Sequence, residues 1–450
     1  MIRRIAILGA TGDLTARYLL PALHRLRELG RLPADLEVRG IAHDDWDTPR
    51  WREHAARALA RHAGAVDTST QRELLESLEF RRADVTDESE LAAALDPGPE
   101  PMVVYLALPP GLLAGVVDVL TRAGLPAESR IVVEKPFGTD LRSAQHLNRR
   151  LHAAFPENAV FRIDHFLGKQ TVQNVLGLRF ANRFLEPLWN RDHIERVEVV
   201  WDETLGLEGR AGYYDTAGAL RDMLQNHLLQ LVSLIAMDAP ASLDERDLRD
   251  RKVQVLRSVR RPADVEGTTI RARYVAGRAA GRELPDYTDE AGVDPARATE
   301  TFAQITLFVD NWRWAGVPFV LRSGKALARD RHHITAQFRE VPHLAFGQGA
   351  QPVPNRVRLE FDPDRVSLAV NVNGPGDPFD LECIELDAVL EPQDPPAYAR
   401  LLLDVLEGDP LLSIRADEAE ESWRICEPVL AAWREDRVPM REYPAGSESP

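Results

Sequence analysis

The sequence predicts two parts of different fold class: an α/β part with a parallel sheet, then an α+β part with a large, mostly antiparallel sheet plus helices. Three observations lead to this prediction. The chain has 450 residues, which exceeds one ordinary hydrophobic core. Up to about residue 165, continuous apolar strands alternate with helices, as in a parallel sheet covered on both faces. Beyond about residue 190, apolar and polar residues alternate along the strands, as in a sheet with one solvated face.

The composition narrows the class of protein and of partner. Hydrophobic residues make up 44% and charged residues 28% of the chain, which is typical of a soluble globular protein. The formal net charge of −16 argues against nucleic acid and anionic membrane as partners. We find no apolar run of about 18 residues and no signal-peptide pattern at the start. The two cysteines, Cys383 and Cys426, form neither a metal spacing nor a disulfide framework, so we expect a cytoplasmic protein.

The first element is a strand, "RRIAIL", followed by a glycine turn and the helix "TARYLLPALHRLRELG". Such a turn lets backbone N–H groups approach a pyrophosphate at the positive end of a helix. The spacing of Gly9 and Gly12 falls short of the full G-x-G-x-x-G pattern, so a plain tight turn is the competing interpretation. The residues predicted to contact a dinucleotide are Gly9, Ala10, Thr11, Gly12, Asp13 and Leu14.

The second strand, within "LEVRGIAHDDW", ends at His43, Asp44 and Asp45. A carboxylate at this place accepts the ribose hydroxyls of NAD, whereas an arginine suits the 2′-phosphate of NADP. Each carboxylate would repel that phosphate by about 1 kcal/mol in water and up to about 4 kcal/mol at an effective dielectric near 20. Asp44 and Asp45, with no arginine at position 43, therefore favour NAD over NADP.

The stretch "RIDHFLGKQ" carries Asp164, His165 and Lys169. If a helix begins here, His165 and Lys169 lie four positions apart on one face and can bind an anion together. An ordinary surface helix is the alternative. We predict no metal site, because no second histidine or carboxylate follows at ligand spacing.

A second cluster, "RDMLQNHLLQ", places Asp222 and His227 in a leucine-rich helix. The two are five positions apart, so one face of an α-helix does not hold both squarely. His227 is either a buried structural histidine or a general base whose tautomer a carboxylate fixes. Lys135, in "EKPFG", and Lys325, in "LRSGKAL", each follow a strand and are either site residues or surface lysines.

Together these segments resemble the glucose-6-phosphate dehydrogenase family over nearly the whole chain. The resemblance lies in "GATGDLTARYLLPAL", "EKPFGTDL", "RIDHFLGKQTVQNVLGLRFAN", "RDMLQNHLLQ" and "DNWRWAGVPFVLRSGKAL". It implies an NAD(P)-binding Rossmann-like domain over residues 1–168 and a β+α substrate-binding and dimerisation domain over residues 169–450. The implied reaction oxidises the C1 hydroxyl of a cyclic sugar phosphate to a δ-lactone, with hydride transfer to NAD or NADP. The implied assembly is a homodimer or homotetramer.

The resemblance also implies a role for each candidate residue. His227 would be the general base, and Asp164 would orient it. The sugar phosphate would be bound by Lys135, His165, Lys169, Glu203, Asp222 and Lys325. The coenzyme would be bound by the glycine turn, His43, Asp44 and Lys135, the last shared between sugar and nicotinamide.

The chain departs from the family pattern at several of these places. The family usually has "RIDHYLGKE", where this chain has Phe166 and Gln170. Tyr18 stands where a lysine is often found, and Asp330 stands where a basic residue follows the "SGK" lysine. A lost hydrogen bond to a charged phosphate weakens binding by about 1.5–3 kcal/mol. Two alternatives therefore remain: a paralogue acting on a modified or non-phosphorylated sugar, and a non-catalytic family member.

Overall fold

The computed structural model describes residues 1–64, 68–346, 352–376 and 380–450. The chain divides into two compact units. The first comprises residues 1–170, 240–250 and 393–420, and the second comprises residues 171–239, 251–392 and 421–450. The segments 240–250 and 393–420 thus join the first unit from the later part of the chain. The division into a coenzyme-binding domain over residues 1–168 and a substrate-binding and dimerisation domain over residues 169–450 stays a prediction.

The first unit contains a six-stranded sheet in the order β3-β2-β1-β4-β5-β6, and all of its pairings are parallel. This arrangement confirms the predicted α/β class. Burial explains the apolar runs, because all four residues of the central strand β4 are buried. The strands are β1 Arg4–Leu8, β2 Glu37–Ala42, β3 Leu78–Arg82, β4 Val103–Leu106, β5 Arg130–Glu134 and β6 Val160–Ile163.

The helices up to residue 180 alternate with these strands. Three of them begin at an aspartate cap: Asp47 accepts a hydrogen bond from the Arg50 backbone, Asp87 accepts one from the Ser89 backbone, and Asp140 forms a capping box with Ser143. The α-helices are α1 Leu20–Glu28, α2 Thr48–His62, α3 Thr68–Glu76, α4 Glu88–Leu95, α5 Pro110–Ala123, α6 Leu141–Ala154 and α7 Gln170–Phe180. A π-helical turn, Thr15–Leu19, precedes α1, and a 3-10 turn, Glu157–Ala159, precedes β6.

The second unit contains a nine-stranded sheet in the order β16-β15-β14-β13-β7-β12-β11-β8-β17. The pairs β7–β12 and β8–β17 are parallel and the other pairs are antiparallel, which confirms the predicted mostly antiparallel sheet. The strands are β7 Ile194–Asp202, β8 Thr269–Val275, β11 Phe302–Phe308, β12 Pro318–Gly324, β13 Arg331–Phe338, β14 Arg356–Glu360, β15 Arg365–Asn373, β16 Leu381–Val389 and β17 Met440–Pro444. A small hairpin joins β9 Gly277–Ala279 to β10 Arg282–Leu284.

The later helices include an unusual one. Leu220–Leu228 is a π-helix, set between α8 and α9. The α-helices of this part of the chain are α8 Ala211–Ala219, α9 Leu229–Ala236, α10 Glu245–Ser258, α11 Val265–Thr268, α12 Ala397–Glu407 and α13 Ala416–Arg434. Short 3-10 turns span Glu186–Leu188, Tyr287–Asp289 and Pro295–Arg297. Among the described helices, none has both the length and the hydropathy needed to cross a bilayer.

Candidate active site

The glycine turn follows β1 in the first unit. Gly9 has φ +88°, and a Cβ at this position would lie 2.2 Å from the carbonyl oxygen of Ala107. Only glycine fits there. The N–H of Gly12 and the hydroxyl of Thr15 both donate to the Gly9 carbonyl, at 3.0 and 3.2 Å, and so close the turn. The first N–H groups of a helix have no acceptor within that helix, so this turn could hold an anion such as a pyrophosphate.

The carboxylate expected at the end of β2 is fixed to the glycine turn. The Thr11 hydroxyl donates to Asp44 Oδ2 at 2.7 Å. Asp45 instead forms an exposed ion pair with Arg82 at 2.9 Å. The sequence predicted that both carboxylates would disfavour the 2′-phosphate of NADP. Only Asp44 is bound to the glycine turn, because the charge of Asp45 is offset by the Arg82 guanidinium. His43 is exposed, as is Asp13, which pairs with Arg17.

The end of β5 carries a residue that the sequence analysis missed. The side chain of Glu134, the residue before Lys135, accepts a hydrogen bond from the Tyr105 hydroxyl at 2.5 Å. The pKa of Glu134 is raised to about 7, chiefly by burial and also by the nearby Asp164, against the lowering effects of the bond from Tyr105 and of the charge of Lys135. The only local signal was the position of this glutamate in "EKP", directly after an apolar strand.

The segment after β6 is a succession of turns and not the start of an α-helix. The N–H groups of Leu167, Gly168 and Lys169 donate to the carbonyl groups three residues earlier. The Asp164 carboxylate is buried and accepts the Phe166 N–H at 3.0 Å. A Cβ at Gly168 would lie 2.7 Å from the Ala397 carbonyl oxygen, so the turns pack closely on the first turn of α12. Helix α7 begins only at Gln170, and the condition for His165 and Lys169 to share a helical face is not met.

Aromatic contacts hold His165 and Lys169, the two anion-binding candidates of this segment. The His165 ring stacks on Tyr398 with centroids 5.7 Å apart and meets the edge of Phe166 at 5.0 Å. The Lys169 ammonium lies 4.8 Å from the centre of the Phe166 ring. Phe166 is buried, so the ring packs in the interior without the hydroxyl that the family usually has there.

In the second unit, the π-helix Leu220–Leu228 changes the relation between Asp222 and His227. Its backbone hydrogen bonds join residues five apart, so residues at this spacing lie near one face. The expectation from α-helical geometry, that one face cannot hold both, is therefore wrong. His227 is buried, and its N–H donates to Asn226 Oδ1 at 2.6 Å. Asp222 accepts a hydrogen bond from the Tyr213 hydroxyl at 3.3 Å.

A buried carboxylate, Glu300, supports the start of this π-helix. Its Oε1 accepts the Leu220 N–H at 3.0 Å. Gly218, at φ +71°, lies directly against the carboxylate, because a Cβ there would be 2.4 Å from Oε1. Burial raises the pKa of Glu300. Sequence reasoning missed this residue, since its only signal is a lone glutamate before an apolar strand.

Two further candidates meet at the ends of neighbouring strands. β7 and β12 pair in parallel with Asp202 opposite Gly324, so the next residues, Glu203 and Lys325, emerge side by side. The Lys325 ammonium donates to Glu203 Oε2 at 2.5 Å, and it lies 5.2 Å from the Tyr214 ring centre. Asp330, the unusual residue nearby, accepts the Thr204 N–H at 2.7 Å. Asp330 therefore bonds to the backbone of the residue that follows Glu203.

Each predicted site residue can be assigned to one unit. The first unit holds Gly9, Ala10, Thr11, Gly12, Asp13, Leu14, His43, Asp44, Lys135, Asp164, His165 and Lys169. The second holds Glu203, Asp222, His227 and Lys325. Within the units, Thr11 meets Asp44 and Glu203 meets Lys325. The predicted pairing of Asp164 with His227 stays a prediction.

Comparison with known proteins places this geometry among dehydrogenases. Residues 6–174 match the family profile described as glucose-6-phosphate dehydrogenase, NAD binding domain. Residues 176–450 match the profile described as glucose-6-phosphate dehydrogenase, C-terminal domain.

Individual relatives agree with the two profiles. The chain is 41% identical over 471 residues to glucose-6-phosphate 1-dehydrogenase of Treponema pallidum, covering 99% of this chain and 92% of the relative. It is also 41% identical over 462 residues to the protein of the same name from Gluconobacter oxydans, covering 99% and 94%. A solved structure of glucose-6-phosphate dehydrogenase in complex with glucose-6-phosphate superposes with a TM-score of 0.89 at 34% identity, covering 99% of this chain and 95% of that one.

Proposed function

Because this chain belongs to the glucose-6-phosphate dehydrogenase family, we propose that it is a hexose-6-phosphate 1-dehydrogenase. The reaction would oxidise the C1 hydroxyl of a cyclic sugar phosphate to the δ-lactone. The single observation that carries this proposal is the glycine turn, where Gly9 leaves no room for a side chain beside Ala107. A backbone that approaches so closely at the start of a helix suits the pyrophosphate of a dinucleotide.

The coenzyme is NAD or NADP, and its nicotinamide supplies the hydride acceptor when it is bound. In this proposal the turn from Gly9 to Leu14 holds the pyrophosphate and Asp44 accepts the ribose hydroxyls. NAD is preferred because Thr11 holds the Asp44 carboxylate beside the turn. Asp45 contributes less than the sequence suggested, since its charge is offset by Arg82.

The proton of the C1 hydroxyl is taken by His227, with Asp164 as the residue that orients it. Both side chains are buried, which suits a base and its carboxylate partner kept away from bulk water. Glu300 holds the backbone at the start of the helix that carries His227, so it acts as a positioning residue. Loss of the proton to His227 and loss of the hydride from C1 together give the lactone.

The remaining candidates bind the sugar phosphate. Glu203 and Lys325 form a preassembled ion pair whose oxygens and ammonium can bond to sugar hydroxyls, and Asp222 adds a third polar group. In this proposal His165 and Lys169 bind the phosphate, and Lys135 is shared between the sugar and the coenzyme. We further infer a homodimer or homotetramer in the cytoplasm, as the dehydrogenase family implies.

A substrate-by-coenzyme panel tests this proposal. Purified protein is mixed with glucose 6-phosphate or with other hexose phosphates, together with NAD or NADP, and reduced nicotinamide is followed by its absorbance. We expect turnover with glucose 6-phosphate and a higher kcat/KM with NAD than with NADP. Coenzyme binding without turnover of any sugar would instead identify a non-catalytic family member.

A further inference from the structure

Two adjacent tyrosines of α8, Tyr213 and Tyr214, contact candidate residues of the second unit. The Tyr213 hydroxyl donates to Asp222 Oδ1 at 3.3 Å. The Lys325 ammonium, which is bonded to Glu203, lies 5.2 Å from the centre of the Tyr214 ring. Asp222 belongs to the π-helix, whereas the other two candidates follow β7 and β12. Consecutive residues of α8 therefore link three candidates for the sugar site that come from separate elements.

Helix α8 is anchored by the two residues that follow Tyr213. Tyr214 is buried in a hydrophobic cluster that also contains Phe302. Asp215 is buried as well, and its carboxylate accepts a hydrogen bond from the Tyr287 hydroxyl at 2.7 Å. The backbone that carries Tyr213 is thus supported on two sides, as a residue that positions a binding group requires.

The Asp222 carboxylate lies close to both tyrosines. It accepts the hydrogen bond from Tyr213, and the pKa of Tyr214 is raised by burial first and then by the negative charge of Asp222. Tyr213 is 42% exposed, so its bond to Asp222 forms at a surface that a sugar can reach. An aspartate side chain has several staggered rotamers, and a hydrogen bond from a ring on a supported helix favours one of them. Tyr213 can therefore set the direction in which this carboxylate points.

We propose that Tyr213 is a positioning residue that orients Asp222 toward one hydroxyl of the sugar ring, so that the two residues together select sugars that carry this hydroxyl. The inference rests on the proposed function, which assigns Asp222 to the sugar. A carboxylate accepts a hydrogen bond from a sugar hydroxyl, and such a bond weakens steeply when its angle is poor. Tyr213 acts through Asp222 in this account and needs no contact of its own with the sugar.

The test measures kcat/KM of the full-length protein for glucose 6-phosphate and for its 2-deoxy, 3-deoxy and 4-deoxy analogues. We expect Tyr213→Phe to lower kcat/KM for glucose 6-phosphate about three- to tenfold, mainly through a higher KM, because an orienting hydrogen bond to a charged group is lost. The analogue that lacks the hydroxyl bound by Asp222 should show no such loss. Asp222→Ala should single out the same analogue. A purely structural role of Tyr213 would reduce activity on all of the sugars alike.

The double variant Tyr213→Phe/Asp222→Ala is an independent check. If Tyr213 acts through Asp222, Tyr213→Phe should change kcat/KM by less than about twofold in the Asp222→Ala background. Tyr287→Phe is the matched control, because it removes a hydrogen bond from a tyrosine to Asp215, a carboxylate of the same helix. We expect this control to lower the free energy of unfolding and to leave the ratios of kcat/KM among the sugars unchanged.

Equal losses on all of the sugars in Tyr213→Phe, or effects of the two substitutions that simply add, would overturn the inference. If Asp222→Ala does not fold by circular dichroism, the comparison of the analogues in Tyr213→Phe decides alone. Calorimetric titration of the same sugars in the presence of coenzyme separates the inference from the proposed function. Binding without turnover would contradict the dehydrogenase function, while the affinities for the analogues would still decide the role of Tyr213. A wild type that binds none of the sugars would contradict both.

Discussion

The Glu300 carboxylate accepts the backbone N–H of Leu220 at 3.0 Å, in the buried interior of the second unit. This bond lies at the first residue of the π-helix that carries Asp222 and His227. A buried N–H without an acceptor costs about 1–3 kcal/mol, so the glutamate helps to decide whether this helical geometry forms.

Replacing Glu300 should therefore change activity by moving the helix. We expect Glu300→Ala to lower the free energy of unfolding by about 1–3 kcal/mol and to lower kcat more than it raises KM. Glu300→Gln retains a carbonyl acceptor and should recover most of both losses. Urea unfolding and steady-state kinetics measure the two effects. Glu283→Ala, an exposed glutamate on β10, is the control, and a loss of similar size in that variant would contradict a specific role for Glu300.

Glu134 should make stability depend on pH in a defined direction. Its pKa is about 7 in the folded protein and ordinarily about 4.5. Because the folded value is raised, the stabilising contribution is complete below pH 4.5 and is lost as the pH rises through 7. We expect the melting temperature of the wild type to fall relative to Glu134→Gln between these two pH values. Parallel curves for the two proteins would show that Glu134 does not titrate there.

The hydrogen bond from Tyr105 offers an independent check on the same carboxylate. This bond lowers the pKa of Glu134, so Tyr105→Phe should shift the titration to a pH above 7. The melting temperature of Tyr105→Phe is compared over a range of pH with that of the double variant Tyr105→Phe/Glu134→Gln. The pH at which half of the difference has developed gives the midpoint of the Glu134 titration. A shift to lower pH would contradict the proposed direction of the hydrogen bond's effect.

Coenzyme preference should respond to Asp44 more than to Asp45. Asp44→Ala removes the carboxylate that Thr11 holds beside the turn, and we expect the ratio of kcat/KM for NADP to that for NAD to rise about tenfold. Asp45→Ala is the matched control, since its charge is already offset by Arg82 and the ratio should change about twofold or less. Equal responses in the two variants would mean that the bond from Thr11 is irrelevant to the preference.

Local sequence patterns predicted the strands, helices and turns that are determined by residues close together in the sequence. The glycine turn was predictable because Gly9 and Gly12 separate an apolar strand from an amphipathic helix. The alternation of apolar and polar residues likewise predicted most strands of the large sheet. β16 and β17 escaped prediction, and β17 is defined by parallel pairing with β8, far away in the sequence.

The site details that escaped prediction depend on contacts between distant residues. The first residue of the π-helix, Leu220, is bonded to Glu300, which lies eighty positions later in the sequence. The helical periodicity around Leu220 does not predict that contact. The pairing of Asp45 with Arg82 joins the ends of two strands and changes the charge argument for the coenzyme. The stacking of Tyr18 on Tyr398 likewise joins residues that are far apart in the sequence.

The central claim is that His227 is the general base of a sugar dehydrogenase. It is tested most directly by the rate at which reduced nicotinamide forms from glucose 6-phosphate in wild type and in His227→Asn, at saturating coenzyme and with folding checked by circular dichroism. We predict a loss in kcat of about 100-fold or more, with coenzyme affinity retained. A His227→Asn protein with near-normal kcat would contradict this role.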